Sequence, residues 1–435
     1  MSELTAAEGG AGIVIDGRRV GPGEPPFIVA ELSGNHNGDL GRALAIIDAA
    51  HAAGADAVKL QTYTADTLTL DCDGPHFRIE RGPWAGRRLH DLYAWAHTPW
   101  DWHEALFERA RSLGISIFST PFDPTSVDFL ERFDPPAYKI ASFEAIDLPL
   151  IECVAATGRP LILSTGLATA IEVDEAVAAA TRGAALAKRR HGEEAQADEA
   201  IQSSGSPRRL SLSASWPHSL RPSIGPAAFT QWTTGTSPVV TGCVQEEGLQ
   251  NGLDDEACRS GGLVLLHCVS GYPSAPEEAR LGRMAELRAR TGLAVGLSDH
   301  SLGTAVAVAA TTLGAVMIEK HLTLKRADGG PDAAFSMEPD ELAALCRDCS
   351  TAWRAAHGAT AAGGRAASEE ASAIFRRSLF VVADVAAGEP FTLANVRSIR
   401  PGAGLAPKHL PAVVGRRAAR ALARGTPLAW EMIAG

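Results

Sequence analysis

The sequence of 435 residues lacks any apolar run that approaches the roughly 20 residues needed to span a bilayer as a helix. It also lacks an N-terminal apolar stretch of the kind found in signal peptides. We therefore expect a cytoplasmic protein that does not associate with membranes. With 46% hydrophobic and 21% charged residues, the chain can bury a large core, and its length predicts a main domain with an appendage.

Positive charge is scarce as well. The chain has 40 Lys and Arg against 51 Asp and Glu, a formal net charge of −11. Nucleic acids and anionic membranes bind to basic surfaces, so neither is an expected partner. An anionic substrate would have to be held locally, by a few Lys or Arg residues in a pocket.

The chain has few cysteines, and their spacing does not indicate disulfide bonds. Seven scattered cysteines, an odd number, indicate reduced thiols rather than a disulfide framework. Cys346 and Cys349 form the only CxxC, inside a helical pattern at 338–358 and without a second pair to complete a zinc site. We predict that they lie on a helix face and have no redox role.

Short apolar runs alternate with longer helical segments along most of the chain, which is typical of βα units around a parallel sheet. Eight such runs occur, at 27–33, 57–63, 116–122, 137–142, 160–166, 263–270, 295–301 and 317–323. Eight is the number that closes a (β/α)₈ TIM barrel. The predicted fold class is therefore α/β, with this barrel over residues 27–358.

Other segments depart from the repeat. Residues 1–26 contain a predicted hairpin with Asp16-Gly17 at its turn. Residues 187–262 show no helical or strand period, and we predict a disordered insertion whose ends lie on the N-terminal face of the barrel. After a linker at 359–374, residues 375–435 form a small tail with two apolar runs, 378–383 and 391–399, and a turn at 388–390.

Polar residues follow the apolar part of every predicted strand, at the end where barrel enzymes carry their active sites. They are Glu31, Lys59, Gln61, Ser119, Thr120, Lys139, Ser142, Ser164, Thr165, Ser270, Asp299, His300, Glu319 and His321. Packing alone does not explain such residues at the end of every strand. We interpret them as a candidate active site.

Two histidines end neighbouring predicted strands, His300 in GLSDH and His321 in IEKHLT. Adjacent parallel strands lie about 4.8 Å apart, so the two imidazoles can converge on one ion. Such a site suits a divalent metal such as Mn²⁺, Fe²⁺, Co²⁺ or Zn²⁺. The alternative is a pair of core histidines bonded to the backbone.

Two lysines, Lys59 and Lys139, lie inside apolar strands where a charge has little structural reason to be. Small hydroxyls at Ser142, Ser270 and Ser298 lie near them in the predicted barrel. Lysines with hydroxyl groups are typical of a phosphate and carboxylate site. Gln61 is two residues from Lys59 on the same strand and should face the same way.

A series of motifs resembles the N-acetylneuraminate synthase family. The motifs are AELSGNHNG from Ala30, VKLQTY from Val58, FSTPF from Phe118, YKIAS from Tyr138, LSTG from Leu163, HCVSGYPS from His267, GLSDH and EKHLT. RPGAGLAPKHL from Arg400 resembles that family's C-terminal antifreeze-like (SAF) domain, a small β-rich unit. The resemblance covers nearly the whole chain outside the insertion, with the motifs in order.

The resemblance implies an enzyme that condenses phosphoenolpyruvate with an amino sugar and releases phosphate. It implies phosphoenolpyruvate binding by Lys59, Lys139, Ser142, Ser270 and Ser298, metal binding by His300 and His321, and sugar contacts from Gln61, Tyr272 and Asp332. The metal would be Mn²⁺, with Mg²⁺ or Co²⁺ as alternatives. Arg400 would reach the partner's pocket in a domain-swapped homodimer. For proton handling the candidate is Glu31, whose alternative role is simply to pair with a pocket lysine.

Within the family, several segments favour the pseudaminate branch, and the resemblance implies that they lie around the mouth of the pocket and decide which sugar fits. They are SGNHNG, TYTADTLTLD from Thr62, GPWAGRRLHDLY from Gly82, KIASFEA from Lys139 and GGPDAAFSMEPDEL from Gly329. Ser270, where neuraminate synthases carry Asn, favours the same branch. Neuraminate and legionaminate synthases remain alternatives, as do an aldolase that forms a Schiff base on Lys139 and a non-enzymatic protein that binds carbohydrate or a partner.

Overall fold

The computed structural model describes residues 12–204, 262–358 and 366–435. The chain forms two compact units, and the division falls between Ala356 and His357. In these described ranges, none of the helices combines the length and hydropathy that a membrane span requires.

Eight parallel strands of the first unit close into a barrel in the order β10-β3-β4-β5-β6-β7-β8-β9. They are β3 Phe27–Glu31, β4 Ala57–Thr62, β5 Ser116–Pro121, β6 Tyr138–Ile140, β7 Leu161–Ser164, β8 Leu263–Cys268, β9 Ala294–Ser298 and β10 Met317–His321. The barrel is closed because β10 pairs with both β3 and β9. The predicted TIM barrel is confirmed, and every predicted strand is present.

Helices connect the strands and cover the barrel. They are α1 Leu40–Ala53, α2 Ala65–Leu68, α3 Leu89–Ala96, α4 His103–Leu113, α5 Pro124–Leu130, α6 Leu148–Ala155, α7 Ala170–Ser204, α8 Gly282–Thr291, α9 Ala305–Thr312 and α10 Pro339–His357. In α1, the Asp39 side chain accepts a hydrogen bond from the amide of Arg42, and Gly54 ends the helix at a left-handed φ of 86°. Its apolar face, including Ala43 and Ile47, is buried in the barrel core.

A hairpin closes the N-terminal end of the barrel. Strands β1 (Ile13–Ile15) and β2 (Arg18–Val20) pair antiparallel around Asp16 and Gly17, whose φ values are 45° and 78°. Two successive positive φ angles are typical of a type I′ turn, so the predicted hairpin is confirmed. Its apolar side chains share one buried cluster with inward-facing strand residues: Ile13, Ile15, Val20, Phe27, Val29, Ala57, Phe118, Ala137, Ile162, Val264, Leu266, Ala294, Val316 and Met317.

Helix α7 corrects one prediction. Residues 187–204, expected to lack regular structure, continue this helix to Ser204. The segment is rich in Ala, Glu and Gln, which favour helix by intrinsic propensity without apolar periodicity. The remainder of the predicted insertion, 205–261, lies outside the described residues. Strand β8 begins at Leu263, at the N-terminal end of the barrel.

The second unit has its own core. Strands β11 (Ser378–Val381) and β12 (Val396–Ile399) pair antiparallel, and short helices α11 (Ala367–Glu370) and α12 (Leu410–Val413) flank them. Gly388, at the predicted turn, has a positive φ of 79°. The buried cluster consists of Leu379, Val381, Val385, Phe391, Val396, Val413, Ala418, Leu422, Leu428 and Ile433.

The CxxC lies on a helix as predicted. Cys346 and Cys349 belong to α10, Cys349 is fully buried, and the cysteines of the described ranges are free thiols. Burial raises the pKa of Cys346 to about 12, so this thiol is a poor nucleophile near neutral pH.

Candidate active site

A cavity of about 440 Å³ lies at the C-terminal ends of the barrel strands. Its lining includes Lys59, Gln61, Lys139, Ser142, Tyr272, Ser298, His300, His321 and Asp332, all of which were predicted site residues. Glu31 and Ser270 lie directly beside this lining. Arg400 belongs to the second unit and is exposed there.

Four buried charged side chains form a network at the base of the cavity. Nζ of Lys59 lies 2.8 Å from Oε2 of Glu31 and 3.4 Å from Oε1 of Glu319. Nζ of Lys139 donates to both carboxylate oxygens of Glu319, at 3.0 and 2.8 Å. Two lysines thus face two carboxylates, which keeps the buried charges compensated.

The two carboxylates differ in proton affinity. Burial raises the pKa of Glu31, and the neighbouring Lys59 only partly opposes that rise. Burial also acts on Glu319, but its contacts with Lys139 and Lys59 outweigh it and hold the pKa well below the usual range. Glu31 is therefore the carboxylate of the network that takes up a proton more readily.

The two lysines differ in the direction in which their pKa values are shifted. Burial would lower the pKa of Lys59, but the flanking carboxylates of Glu31 and Glu319 raise it. For Lys139 burial prevails over its contact with Glu319, and the pKa is lowered.

Gln61 faces the same side of its strand as Lys59, as predicted. Its Nε2 atom donates a hydrogen bond to Oε1 of Glu31 at 3.0 Å, and Lys59 contacts the other carboxylate oxygen of Glu31.

His300 and His321 are brought together as predicted. Their ring centroids are 5.4 Å apart, and the ring of Tyr272 lies 4.3 Å from that of His300. Nδ1 of His300 lies 2.9 Å from the carbonyl oxygen of Val269, a contact that leaves Nε2 available as a ligand. Nδ1 of His321 is buried without a hydrogen-bond partner and lies 3.9 Å from Oδ2 of Asp332.

The histidine pair fits a divalent ion, because a buried imidazole nitrogen without a partner is a candidate ligand. Within the described ranges, no group of three or more His, Cys, Asp and Glu side chains is arranged to hold a metal by itself. An ion held by His300 and His321 would therefore need oxygen atoms from water or substrate to complete its coordination.

Gly166, which follows β7, lies beside the hydroxyl groups of two predicted site residues, Ser142 and Ser270. A Cβ atom at Gly166 would lie 2.4 Å from Oγ of Ser270 and 2.6 Å from Oγ of Ser142. These distances are too short for any side chain, so only glycine leaves both serines in place. The LSTG motif thereby brings Ser142 and Ser270 together beside the lysines.

Not all polar residues at the strand ends face the cavity. Asp299 and Lys320 form a buried ion pair, with Nζ to Oδ2 at 3.0 Å, on the outer face of β9 and β10. Ser119 likewise bonds outward, to Thr62 at 2.6 Å, and Thr62 contacts Nε2 of His103 on α4. Successive side chains of a strand point to opposite faces, so these residues stabilise the helix layer.

Three cavity residues had no individual role in the predicted site. Glu319 was predicted only as a polar residue at the end of its strand. Its position two residues before His321 on β10 could have indicated that it faces the same cavity. Glu144 follows β6; burial raises its pKa to about 7, and its Oε2 atom has no hydrogen-bond partner. Trp84 belongs to the GPWAGRRLHDLY segment, which was expected around the mouth of the pocket, and it lines the cavity.

A closed parallel barrel with a buried, charged cavity at the carboxyl ends of its strands defines a TIM-barrel enzyme. The NeuB family model matches residues 46–198 and 238–361, and the SAF domain model matches residues 376–434. The chain belongs to the NeuB family and carries a C-terminal SAF domain. The family resemblance of the motifs is confirmed.

Individual relatives agree with this assignment. The pseudaminic acid synthase of Helicobacter pylori is 35% identical over 94% of this chain and 98% of its own length. The N,N'-diacetyllegionaminic acid synthase of Legionella pneumophila is 31% identical over 94% of both chains. The crystal structure of the N-acetylneuraminic acid synthetase of Leptospira borgpetersenii aligns with a TM-score of 0.58 at 26% identity, covering 84% of this chain and 95% of that one.

Proposed function

We propose that this enzyme condenses phosphoenolpyruvate with 2,4-diacetamido-2,4,6-trideoxy-L-altrose to give pseudaminic acid and phosphate. Two pseudaminic acid synthases, from Helicobacter pylori and Campylobacter jejuni, are 35% identical over 94% and 92% of this chain, against 31% for a legionaminate synthase. The observation that carries the chemistry is that two buried lysines and two histidines line one cavity.

Phosphoenolpyruvate binds at the base of the cavity in this proposal. Lys59 and Lys139 are the buried cations there, and a carboxylate and a phosphate need such charges. Ser142, Ser270 and Ser298 add hydroxyl donors next to them. Because both lysines are already paired with Glu31 and Glu319, the incoming anion replaces part of their compensation, and uptake of a proton by Glu31 keeps the buried charge balanced.

His300 and His321 would hold the divalent metal, for which Mn²⁺ is our first candidate. Such an ion supplies a Lewis acid that polarises a carbonyl oxygen. The free Nε2 of His300 and the unpartnered Nδ1 of His321 support this assignment.

The reaction forms one carbon–carbon bond and breaks one carbon–oxygen bond. C3 of phosphoenolpyruvate attacks the aldehyde carbon of the open-chain sugar, whose oxygen becomes a hydroxyl group. Water adds to C2 with loss of one proton. The C2–O bond to phosphate then breaks, the proton of the C2 hydroxyl group goes to the departing phosphate, and a keto group remains at C2. The buried lysines orient phosphoenolpyruvate for the attack by C3.

Glu31 is our candidate for the proton transfers. With its raised pKa, Glu31 first gives the proton taken up with phosphoenolpyruvate to the aldehyde oxygen, which becomes the hydroxyl group. As a carboxylate it then accepts the proton that water loses on adding to C2. Gln61 orients it through the hydrogen bond to Oε1. The sugar lies farther out, against Gln61, Tyr272 and Asp332.

Arg400 is proposed to reach the sugar from the other chain of a domain-swapped homodimer. Its guanidinium group is exposed in the SAF unit and lies 5.8 Å from the ring of Phe375. An arginine can hold an acetamido carbonyl oxygen through a fork of donors, a geometry that lysine lacks.

The aldolase alternative makes a different prediction for Lys139. A lysine that forms a Schiff base is trapped covalently when borohydride is added with pyruvate. In our proposal the Nζ atom only binds the anion, so we expect no adduct on Lys139.

Phosphate release measured with a panel of amino sugars tests the proposal. We expect the highest kcat/KM with the altrose derivative, ahead of the 2,4-diacetamido-2,4,6-trideoxymannose that a legionaminate synthase would use and of N-acetylmannosamine. In ¹⁸O-labelled water, the label should appear at C2 of the product and not in the phosphate. A higher kcat/KM with N-acetylmannosamine, or label in phosphate, would contradict the proposal.

A further inference from the structure

The outer part of the cavity is mainly apolar, with Arg81 as a charged residue at its edge, in contrast to its charged base. The residues that line this outer part are Leu68, Ile79, Trp84, Leu89, Leu92, Tyr93, Ala96, Phe122 and Phe143. Most come from the long connection between β4 and α4, which includes the GPWAGRRLHDLY segment. A substrate that reaches from the base to this region presents an apolar group to it.

Trp84 is held in this wall by its loop. Residues 78–88 fold back on themselves through hydrogen bonds between Ile79 and Arg87 at 3.0 Å and between Gly86 and Ile79 at 2.8 Å. Gly82 and Gly86 have φ values of 90° and 88°, which only glycine adopts easily. Within residues 81–87 only Trp84 is not exposed, and Arg81 is the other residue of this stretch that lines the cavity.

The indole of Trp84 offers only apolar surface to a ligand. Its Nε1 donates to the carbonyl oxygen of Pro331 at 2.7 Å, so the sole polar atom of the ring is already bonded. Its ring centroid lies 5.7 Å from that of Tyr272, and Tyr272 in turn contacts His300. Trp84 therefore lies farther from His300 than Tyr272 does, and farther from the end of the sugar that reacts.

We infer that Trp84 is a specificity-determining residue that packs against the C6 methyl group of the sugar and disfavours a C6 hydroxyl group. This inference rests on the proposed function. With C1 of the open-chain sugar near His300, the far end of the six-carbon chain points toward the apolar wall. A hydroxyl group there would lose water without gaining a partner from the indole, and a pocket of this kind discriminates by roughly 10- to 100-fold.

The test compares two sugars that differ only at C6. They are 2,4-diacetamido-2,4,6-trideoxy-L-altrose and its 6-hydroxy counterpart, assayed by phosphate release with wild type, Trp84→Phe and Trp84→Gln. We expect Trp84→Gln to lower kcat/KM for the 6-deoxy sugar by at least about tenfold while changing that for the 6-hydroxy sugar by less than about threefold. Trp84→Phe keeps an apolar ring and should preserve the ratio within about threefold.

Trp95 provides the matched control. It lies on α3 and does not line the cavity. The centroid of its ring lies 4.5 Å from Cζ of Arg87. Trp95→Gln should leave the ratio between the two sugars unchanged. Equal losses for both sugars in Trp84→Gln would overturn the inference, since a purely structural role predicts them. If wild type releases phosphate with neither sugar, the proposed function fails and the inference fails with it.

Discussion

Nζ of Lys139, on β6, lies 3.0 and 2.8 Å from the two carboxylate oxygens of Glu319, on β10 across the barrel. Both side chains are more than nine-tenths buried. A buried charge that loses its partner is costly, whereas removal of both charges together can be nearly neutral.

This pair predicts a difference between a single and a double variant. Glu319→Gln should destabilise the fold by about 3 kcal/mol or more, because it leaves Lys139 uncompensated. Lys139→Met combined with Glu319→Gln should regain most of that stability, and neither protein should release phosphate. Urea unfolding and the phosphate assay measure the two effects. A double variant as unstable as the single one would contradict the interpretation of the pair as a compensated charge.

The histidine pair predicts metal dependence. His300→Ala and His321→Ala should each reduce turnover to background and abolish Mn²⁺ binding in calorimetry, while far-UV circular dichroism stays unchanged. His51→Ala, an exposed residue of α1, serves as the control and should behave as wild type. Activity in EDTA equal to that with added Mn²⁺ would show that no metal takes part.

The close contact around Gly166 predicts that one methyl group is enough to disable the site. Gly166→Ala places an atom 2.4 Å from Oγ of Ser270 and 2.6 Å from Oγ of Ser142, so both hydroxyls must move. We expect kcat/KM for phosphoenolpyruvate to fall by at least about 100-fold, about 2.7 kcal/mol in transition-state stabilisation.

Gly282→Ala is the control for this variant, because a Cβ atom there has no neighbour within 4 Å. It should retain full activity. Wild-type kinetics in Gly166→Ala would mean that Ser142 and Ser270 do not hold the substrate.

The swapped dimer predicts complementation between two inactive proteins. His300→Ala lacks a functional barrel site and Arg400→Ala lacks the tail arginine, so a mixed dimer pairs one intact barrel with one intact tail. After subunit exchange, we expect part of the activity to return. Arg420→Ala, another exposed arginine of the SAF unit, should be active alone. Confirmed exchange without recovered activity would rule out the swapped arrangement.

The barrel and most of its site were predictable from the amino-acid sequence. Apolar periodicity identified the eight strands because each must be buried on both faces. Polar residues at the strand ends, such as Lys59 and His321, could be assigned to one cavity because all parallel strands of a barrel end on the same side. The Asp16-Gly17 turn was equally predictable, since few residue pairs tolerate two positive φ angles.

Which of these residues contact one another depends on how the chain folds in three dimensions. Lys139 and Glu319 are 180 positions apart, and closure of the barrel is what pairs them. Asp299 lies beside His300 in sequence but pairs with Lys320 and does not line the cavity, because successive side chains of an extended chain point to opposite sides. Trp84 lies in a loop without periodicity, and its place in the cavity depends on the fold of that loop and on the carbonyl oxygen of Pro331.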